Sequence, residues 1–296
     1  MGKIKTIERM SSSELAKLFS QKIIIEEKVD GSYFVFGKDE DGKMYFKSKQ
    51  RIIDPNNSKD MFTEGIESIL SIQDKIPKGY RFFGEYLNKP KHNVLKYNRV
   101  PDKNVILWDV FDNYRMSHCL WAPDMKEFIR NMGLEIVPIL YKGNPPIDLE
   151  ASFNLFSPFL SSESCLGGQK VEGIVVKTIG QTRYLGKFVN SSFKEVHCKR
   201  KSNELQSIRR EGILPSLIRE LKTESRWVKA VQHLRENGSL NGDLSDIKNI
   251  CKEIGGDVKC EEGDYIKRQL FKWAWPEISK GILKGVPEWY KESLDG

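Results

Sequence analysis

The chain has 296 residues, 39% of them hydrophobic and 30% charged, with a net charge of +7. That balance fits a soluble globular protein with room for one large and one small domain. No apolar run approaches the roughly 20 residues that a bilayer span needs, and the basic excess leans weakly toward a polyanionic partner.

The opening MGKIKTIERM has no apolar signal core, and the five cysteines show neither a CxxC pair nor metal-ligand spacing. They read as reduced thiols, so a cytoplasmic setting is expected. Ser11, three residues before Glu14, predicts a capping box ahead of Leu15 and Leu18. Strands are predicted over 22–29, 32–37 and 44–48, separated by the turn pairs Asp30-Gly31 and Asp41-Gly42. Further strands are expected over 81–87 and 105–111. A helix over 123–132 begins at Pro123 and stops at Gly133. Another strand is expected over 134–141, then a loop around Pro145-Pro146, then strands over 173–178 and 183–189. The first 200 residues thus read as an α+β domain of largely antiparallel strands.

Beyond residue 200 the apolar positions take helical spacing: Leu217, Ile218 and Leu221, then Trp227, Val228, Val231 and Leu234 up to a stop at Asn237-Gly238. Ile266, Leu270, Phe271 and Ala274 repeat the pattern before Pro276. Residues 1–200 are therefore expected to form one domain and 201–296 a small all-α domain.

Lys28-Val29-Asp30-Gly31 places a lysine at a strand end, beside a turn where glycine accepts positive φ. On its own the tetrapeptide is better read as a solvated lysine beside a hairpin turn. Carboxylates and lysines recur downstream inside apolar strands: Phe83-Gly84-Glu85-Tyr86, Leu107-Trp108-Asp109-Val110, Glu172-Gly173 through Lys177, and Lys187. A charged group in such a strand needs a partner. Convergence on one face would supply it, and would also make a site for triphosphate and metal.

In this order the segments resemble the covalent nucleotidyltransferase superfamily of polynucleotide ligases and mRNA capping enzymes, over roughly residues 20–195. Lys28-Val29-Asp30-Gly31 matches the KxDG nucleotidyl-lysine motif. Gly84-Glu85-Tyr86 is similar to the third motif, Trp108-Asp109 to the aromatic–acid pair after it, and Glu172-Gly173 through Lys177 to the fourth. Lys187, with Asn190 and Phe193-Lys194-Glu195, resembles the fifth motif of the RNA-ligase branch. Three positions depart. Tyr33 stands where Arg or Asn often contacts the ribose. Ser48-Lys49, with Arg51 nearby, replaces a Ser-Arg pair. Val189 replaces a second lysine, so the phosphate-binding pair is either Lys177 with Lys187 or Lys199 with Lys201.

The resemblance implies an ATP-grasp-like nucleotidyltransferase fold of antiparallel sheets with helices. It implies ATP as cofactor with Mg2+ (or Mn2+), and Lys28 as the residue that takes up AMP and passes it to a 5′-phosphate for attack by a 3′-hydroxyl. Glu27, Tyr33, Lys49, Glu85, Trp108, Glu172, Lys177 and Lys187 would form the nucleotide site, with Trp108 stacked on adenine and Glu85 and Glu172 holding metal. Lys177 and Lys187 would depress the pKa of Lys28 from its ordinary value of about 10.4.

Lys89, Lys91, His92 and Arg99, with the basic Lys199, Arg200 and Lys201, are candidate nucleic-acid contacts; a polar surface loop is an equal reading of residues 88–99. A helical tail in place of a β-barrel favours an RNA ligase of the T4 RNA ligase 2-like branch. Such a protein would act as a monomer away from membranes, on RNA in a nicked duplex, with DNA or hybrid strands left open. The alternatives are an ATP-dependent DNA ligase and a non-catalytic nucleic-acid-binding relative that keeps the fold. Loss of the tail is expected to spare self-adenylation and weaken sealing.

Overall fold

The chain enters its fold through a capped helix. The Glu14 amide donates to the Ser11 hydroxyl at 3.3 Å, and the Ser11 amide donates to the Glu14 carboxylate at 2.8 Å. This reciprocal pair starts α1 (Ser12–Leu18) where the sequence predicts. The computed structural model describes residues 4–57, 60–179, 183–190 and 212–294.

Two sheets follow. The first, of four strands, is ordered β11-β10-β1-β9, from β1 (Ile23–Lys28), β9 (Ile139–Gly143), β10 (Gly173–Thr178) and β11 (Leu185–Val189). All its pairings are antiparallel. The second contains β2 (Ser32–Lys38), β3 (Met44–Lys47), β4 (Ile52–Ile53), β5 (Tyr80–Tyr86), β6 (Val105–Asp112) and β7 (Ser117–His118), in the order β4-β3-β2-β5-β6-β7. β8 (Glu135–Ile136) joins it in parallel with β6. The single strand expected over 134–141 is thus two. Pro138 lies between β8 and β9, and the chain crosses there from the second sheet to the first.

Side chains alternate across a strand, so each sheet has an oily and a polar face. Ile23, Ile25, Ile174, Val176 and Phe188 bury one face of the first sheet, with Leu18 of α1 and Phe156 of α4 (Leu149–Leu160). Phe34, Phe36, Phe82, Tyr86 and Leu107 do the same for the second, against Ile66 and Ile69 of α2 (Thr63–Leu70) and Ile129 of α3 (Pro123–Asn131). A third cluster of Val29, Leu87, Leu95, Tyr97, Ile106 and Leu166 supports the turn after β1. The remaining faces carry the polar residues, and contacts from Lys177 to Trp108 tie one to the other. The helices α2 and α4 have no counterpart in the sequence reading.

Four helices complete the described chain: α5 (Ile213–Leu221), α6 (Glu224–Glu236), α7 (Ile247–Leu283) and α8 (Val286–Leu294). α7 continues through Pro276, forgoing one backbone hydrogen bond rather than ending. Two compact units result. One joins residues 1–194 to 224–254, and the other holds 195–223 with 255–296. The division expected at residue 200 therefore does not coincide with the contacts. α6 packs with the sheets because it buries Arg226, Ala230, Gln232, Leu234 and Glu236 there. In the second unit Ile213 and Leu217 are buried, and Tyr265 donates to Glu220 at 2.9 Å. Among the described residues no helix is long and apolar enough to cross a membrane.

Candidate active site

Lys28 is the last residue of β1 and lies opposite Gly173 on β10. Its Nζ donates to Glu172 Oε2 at 2.5 Å, with about a quarter of the side chain exposed (26%). Burial alone would lower the lysine's pKa, but the carboxylates of Glu172 and Asp30 outweigh it and hold the ammonium above its ordinary value. Lys28 therefore rests protonated. The cation that counts most against its charge is Lys229 of α6, not the expected Lys177 and Lys187.

The next three residues fix the turn. Asp30 accepts from the amides of Val94 and Leu95, each at 2.9 Å, and its own amide donates to Tyr97 Oη at 2.8 Å. Gly31 is required for space. A Cβ there would lie 2.8 Å from Glu85 Cβ and 3.0 Å from the Tyr86 carbonyl oxygen. Its backbone is not among those with positive φ, so the left-handed role expected of it is corrected to close approach of two strands.

Register places the other lysines on the face of Lys28. Lys177 lies opposite Ile24, and Lys187 lies opposite Val175, which faces Glu26. Lys177 is almost fully buried, paired with Glu26, and donates to the Trp108 carbonyl at 2.7 Å while sitting 5.1 Å above its ring. Burial lowers its pKa and pushes Glu26 up to about 7, each partner opposing the shift in the other. The contacts of Lys177 with Trp108 join the two sheets, while its ion pair with Glu26 lies within the first.

The facing wall comes from the second sheet. Tyr33 lies opposite Glu85, and a register shift after Phe83 leaves Trp108 as the extra residue of β6. Trp108 packs against Tyr33 at 6.0 Å and Phe83 at 5.6 Å between ring centroids. Burial is the first cause that pushes Glu85 up to about 8; repulsion from Glu236, Glu172 and Asp30 adds to it, and Lys28 opposes it. Burial likewise raises Glu172, against the pull of Lys28. Carboxylates that repel one another fit a hard dication, which takes one or two of them and completes its shell with water and phosphate. Glu85 and Glu172 fit that pattern, although among the described residues no ready-made set of three ligands exists.

Several contacts of the site are invisible to the sequence reading. Glu236 accepts from the Ser32 hydroxyl, and Gln232 donates to the same hydroxyl at 3.4 Å. Arg51 donates from Nε to the Glu236 carbonyl at 3.0 Å and pairs with Asp60 at 2.5 Å. Asn237 donates to Gln50. Asp109, beside Trp108, takes Arg183 and, at 2.6 Å, His118. Arg226, Gln232 and Glu236 of α6 are buried polar residues, which apolar periodicity does not mark.

Some expected residues lie elsewhere. Glu27 projects to the opposite face from Lys28, where it accepts from the Ser164 hydroxyl at 2.5 Å and the Cys165 amide at 2.9 Å. Its carboxylate holds a loop instead of a base. His92 is buried between Ser32 at 2.8 Å and Asn88 at 2.9 Å, which removes it from a nucleic-acid surface. Arg99 is clamped to both Glu135 oxygens, at 2.6 and 2.8 Å. Lys89 and Lys91 are exposed, as is Lys49 in the turn before β4. Lys199, Arg200 and Lys201, and Phe193-Lys194-Glu195 with them, lie outside the described residues.

Comparison with known proteins adds three findings. The model of the RNA ligase family matches residues 21–196. Among solved structures, a Naegleria gruberi RNA ligase variant with ATP and Mn is similar at a TM-score of 0.51 and 13% identity, over 64% of this chain and 56% of that one. A second variant of that ligase in the apo form gives 0.51 and 13% over 64% and 55%, and a third, with ATP and Mn, gives 0.50 and 13% over 64% and 56%. Each match spans little more than half of the ligase chain, and at this identity each speaks to fold. No curated protein matches.

Proposed function

This chain belongs to the RNA ligase family, and we propose that it is an ATP-dependent RNA ligase working through a lysyl-AMP intermediate on Lys28. The observation that carries the reading is the Lys28–Glu172 pair, placed by β1 and β10 at a cleft whose other wall bears Glu85, Tyr33 and Trp108.

In the first step Lys28 passes a proton to Glu172, already at hydrogen-bond distance and raised by burial. The freed lone pair on Nζ forms a bond to the α-phosphorus of ATP. The bond from that phosphorus to the oxygen bridging the β-phosphate breaks, and its electron pair leaves on pyrophosphate. In the second step a 5′-phosphate oxygen takes the AMP from Nζ, and in the third a 3′-hydroxyl displaces AMP to seal the strand. Trp108 and Tyr33 offer an aromatic wall for adenine, and Lys187 shares the face on which the phosphates would lie. Lys177 acts from below, holding Trp108 and Glu26 in place. Mg2+ or Mn2+, held by Glu85 and by the Glu172 oxygen that does not take the proton, would neutralise charge on the departing pyrophosphate. RNA in a nicked duplex is the preferred substrate in this reading, with the exposed Lys89 and Lys91 in reach of a backbone.

The test is transfer of label from α-labelled ATP to the full-length chain and to Lys28→Ala, followed by sealing of nicked RNA, DNA and hybrid duplexes and of single strands. Labelling confined to the wild type and sealing of RNA ends support the reading. Persistent labelling of the alanine variant would remove Lys28 as acceptor, and preference for a DNA nick would reassign the substrate.

A further inference from the structure

α6 lies outside the segment matched by the family model, yet it is built into the nucleotide cleft. Two of its residues, Gln232 and Glu236, meet the hydroxyl of Ser32, which follows the Lys28–Gly31 turn. Arg51 and Gln50, in the turn between β3 and β4, hold the last turn of α6 and Asn237 just beyond it. The helix is therefore fixed in rotation and in height relative to Lys28. Residues at i, i+3 and i+7 share one face of a helix, so Lys229 stands on the face that carries Gln232 and Glu236. It is half-buried there, and its charge acts on both Lys28 and Glu172.

That location holds four carboxylates, and three of them, Asp30, Glu172 and Glu236, act together on the fourth, Glu85. Lys177, whose ammonium is engaged by Glu26 and the Trp108 carbonyl, is not placed to answer them. When ATP enters, three further negative groups arrive in the same volume. A cation fixed on a helix that cannot rotate is suited to meet them.

We infer that Lys229 is a phosphate-binding residue of the adenylation site, supplied by α6 to the triphosphate of ATP opposite Lys28. The inference rests on the ligase reading above and deepens it, because it assigns part of the nucleotide site to a helix beyond the matched segment.

Full-length wild type, Lys229→Met and Lys229→Arg are compared for self-labelling over a range of ATP concentrations, with thermal unfolding measured on each. A charge-assisted contact to phosphate predicts that the methionine variant loses roughly 10- to 100-fold in labelling efficiency. The loss should fall mainly on the ATP concentration needed for half-maximal rate, and arginine should restore most of it. Return of bound AMP to added pyrophosphate should slow in the same variant, since both directions share one transition state. Unchanged labelling efficiency and pyrophosphate reversal in a folded methionine variant overturn the inference. If the methionine variant does not fold, the arginine variant and Lys229→Gln carry the comparison, and wild-type efficiency in Lys229→Gln overturns it equally. Absence of labelling in the wild type itself would instead sink the ligase reading, and the inference with it.

Discussion

Lys28 and Glu172 rest as an ion pair, while attack on phosphorus needs the lysine's lone pair. The resting state is thus stable and unreactive, and arrival of substrate charge must redistribute the proton. The residues around the pair respond to burial in the same way. His92 is held by Ser32 on one ring nitrogen and Asn88 on the other, and burial lowers its pKa from 6.5 to about 4. Lys89 and Arg235 add to that lowering and Asp30 opposes it; Glu236 meets the same Ser32 hydroxyl, and Tyr86 presents its ring edge-on. The unfolded chain takes up the proton at a higher pH than the folded one. The stability given by neutral His92 is therefore complete above about pH 6.5 and is lost as the pH falls toward about 4. Thermal unfolding of wild type and His92→Gln between about pH 7 and pH 4.5 should show a gap that narrows on acidification. A gap that stays constant would mean that His92 does not carry this dependence.

At the level of the element, the turn from β1 to β2 sets the distance between the two walls of the cleft. A Cβ at position 31 would lie 2.8 Å from Glu85 Cβ, so alanine must push β5 or β2 away. Gly31→Ala should lower stability by about 1–3 kcal/mol, as overpacking does. It should also slow self-labelling out of proportion, because the carboxylate that moves is the one expected to hold metal. Equal stability and equal labelling would show that the strands can part without consequence. The glycine was legible in the sequence as part of a motif, but the reason for it was not, since close approach of β5 is a tertiary fact. Strands β1, β2, β5, β6 and β10 could be read from their β-branched and aromatic runs. The apolar spacing of α6 marks Leu234, which is buried, but not the polar residues buried beside it. Apolar spacing selects Trp227 and Val228, which are 44% and 42% exposed, whereas Gln232 and Glu236 are buried. A helix that docks by hydrogen bonds onto a polar cleft has no apolar stripe to find. The pairing of Asp109 with Arg183 escaped for a similar reason, since it is set by tertiary placement and not by spacing along the chain.

For the molecule as a whole, the consequence concerns how the chain divides. A boundary at residue 200 treats everything after it as an accessory to substrate binding, dispensable for self-adenylation. The contacts divide it otherwise, since residues 224–254 belong with the sheets. Cutting the chain at 200 would leave Ser32 without Gln232 and Glu236, and Arg51 without the Glu236 carbonyl. Each buried polar group left unpaired costs about 1–3 kcal/mol, and several lost together approach a large share of the roughly 5–15 kcal/mol that holds a domain folded. The truncated protein should therefore melt well below the full chain and label poorly with ATP, as well as sealing poorly. Paired measurements of unfolding temperature and self-labelling separate the two divisions. A fragment ending at residue 200 that keeps both at full-length values would restore the simpler boundary and make α6 a bystander. Loss of labelling in the truncation, and in Lys229→Met without loss of fold, would instead place the first chemical step in a unit assembled from two separate stretches of sequence.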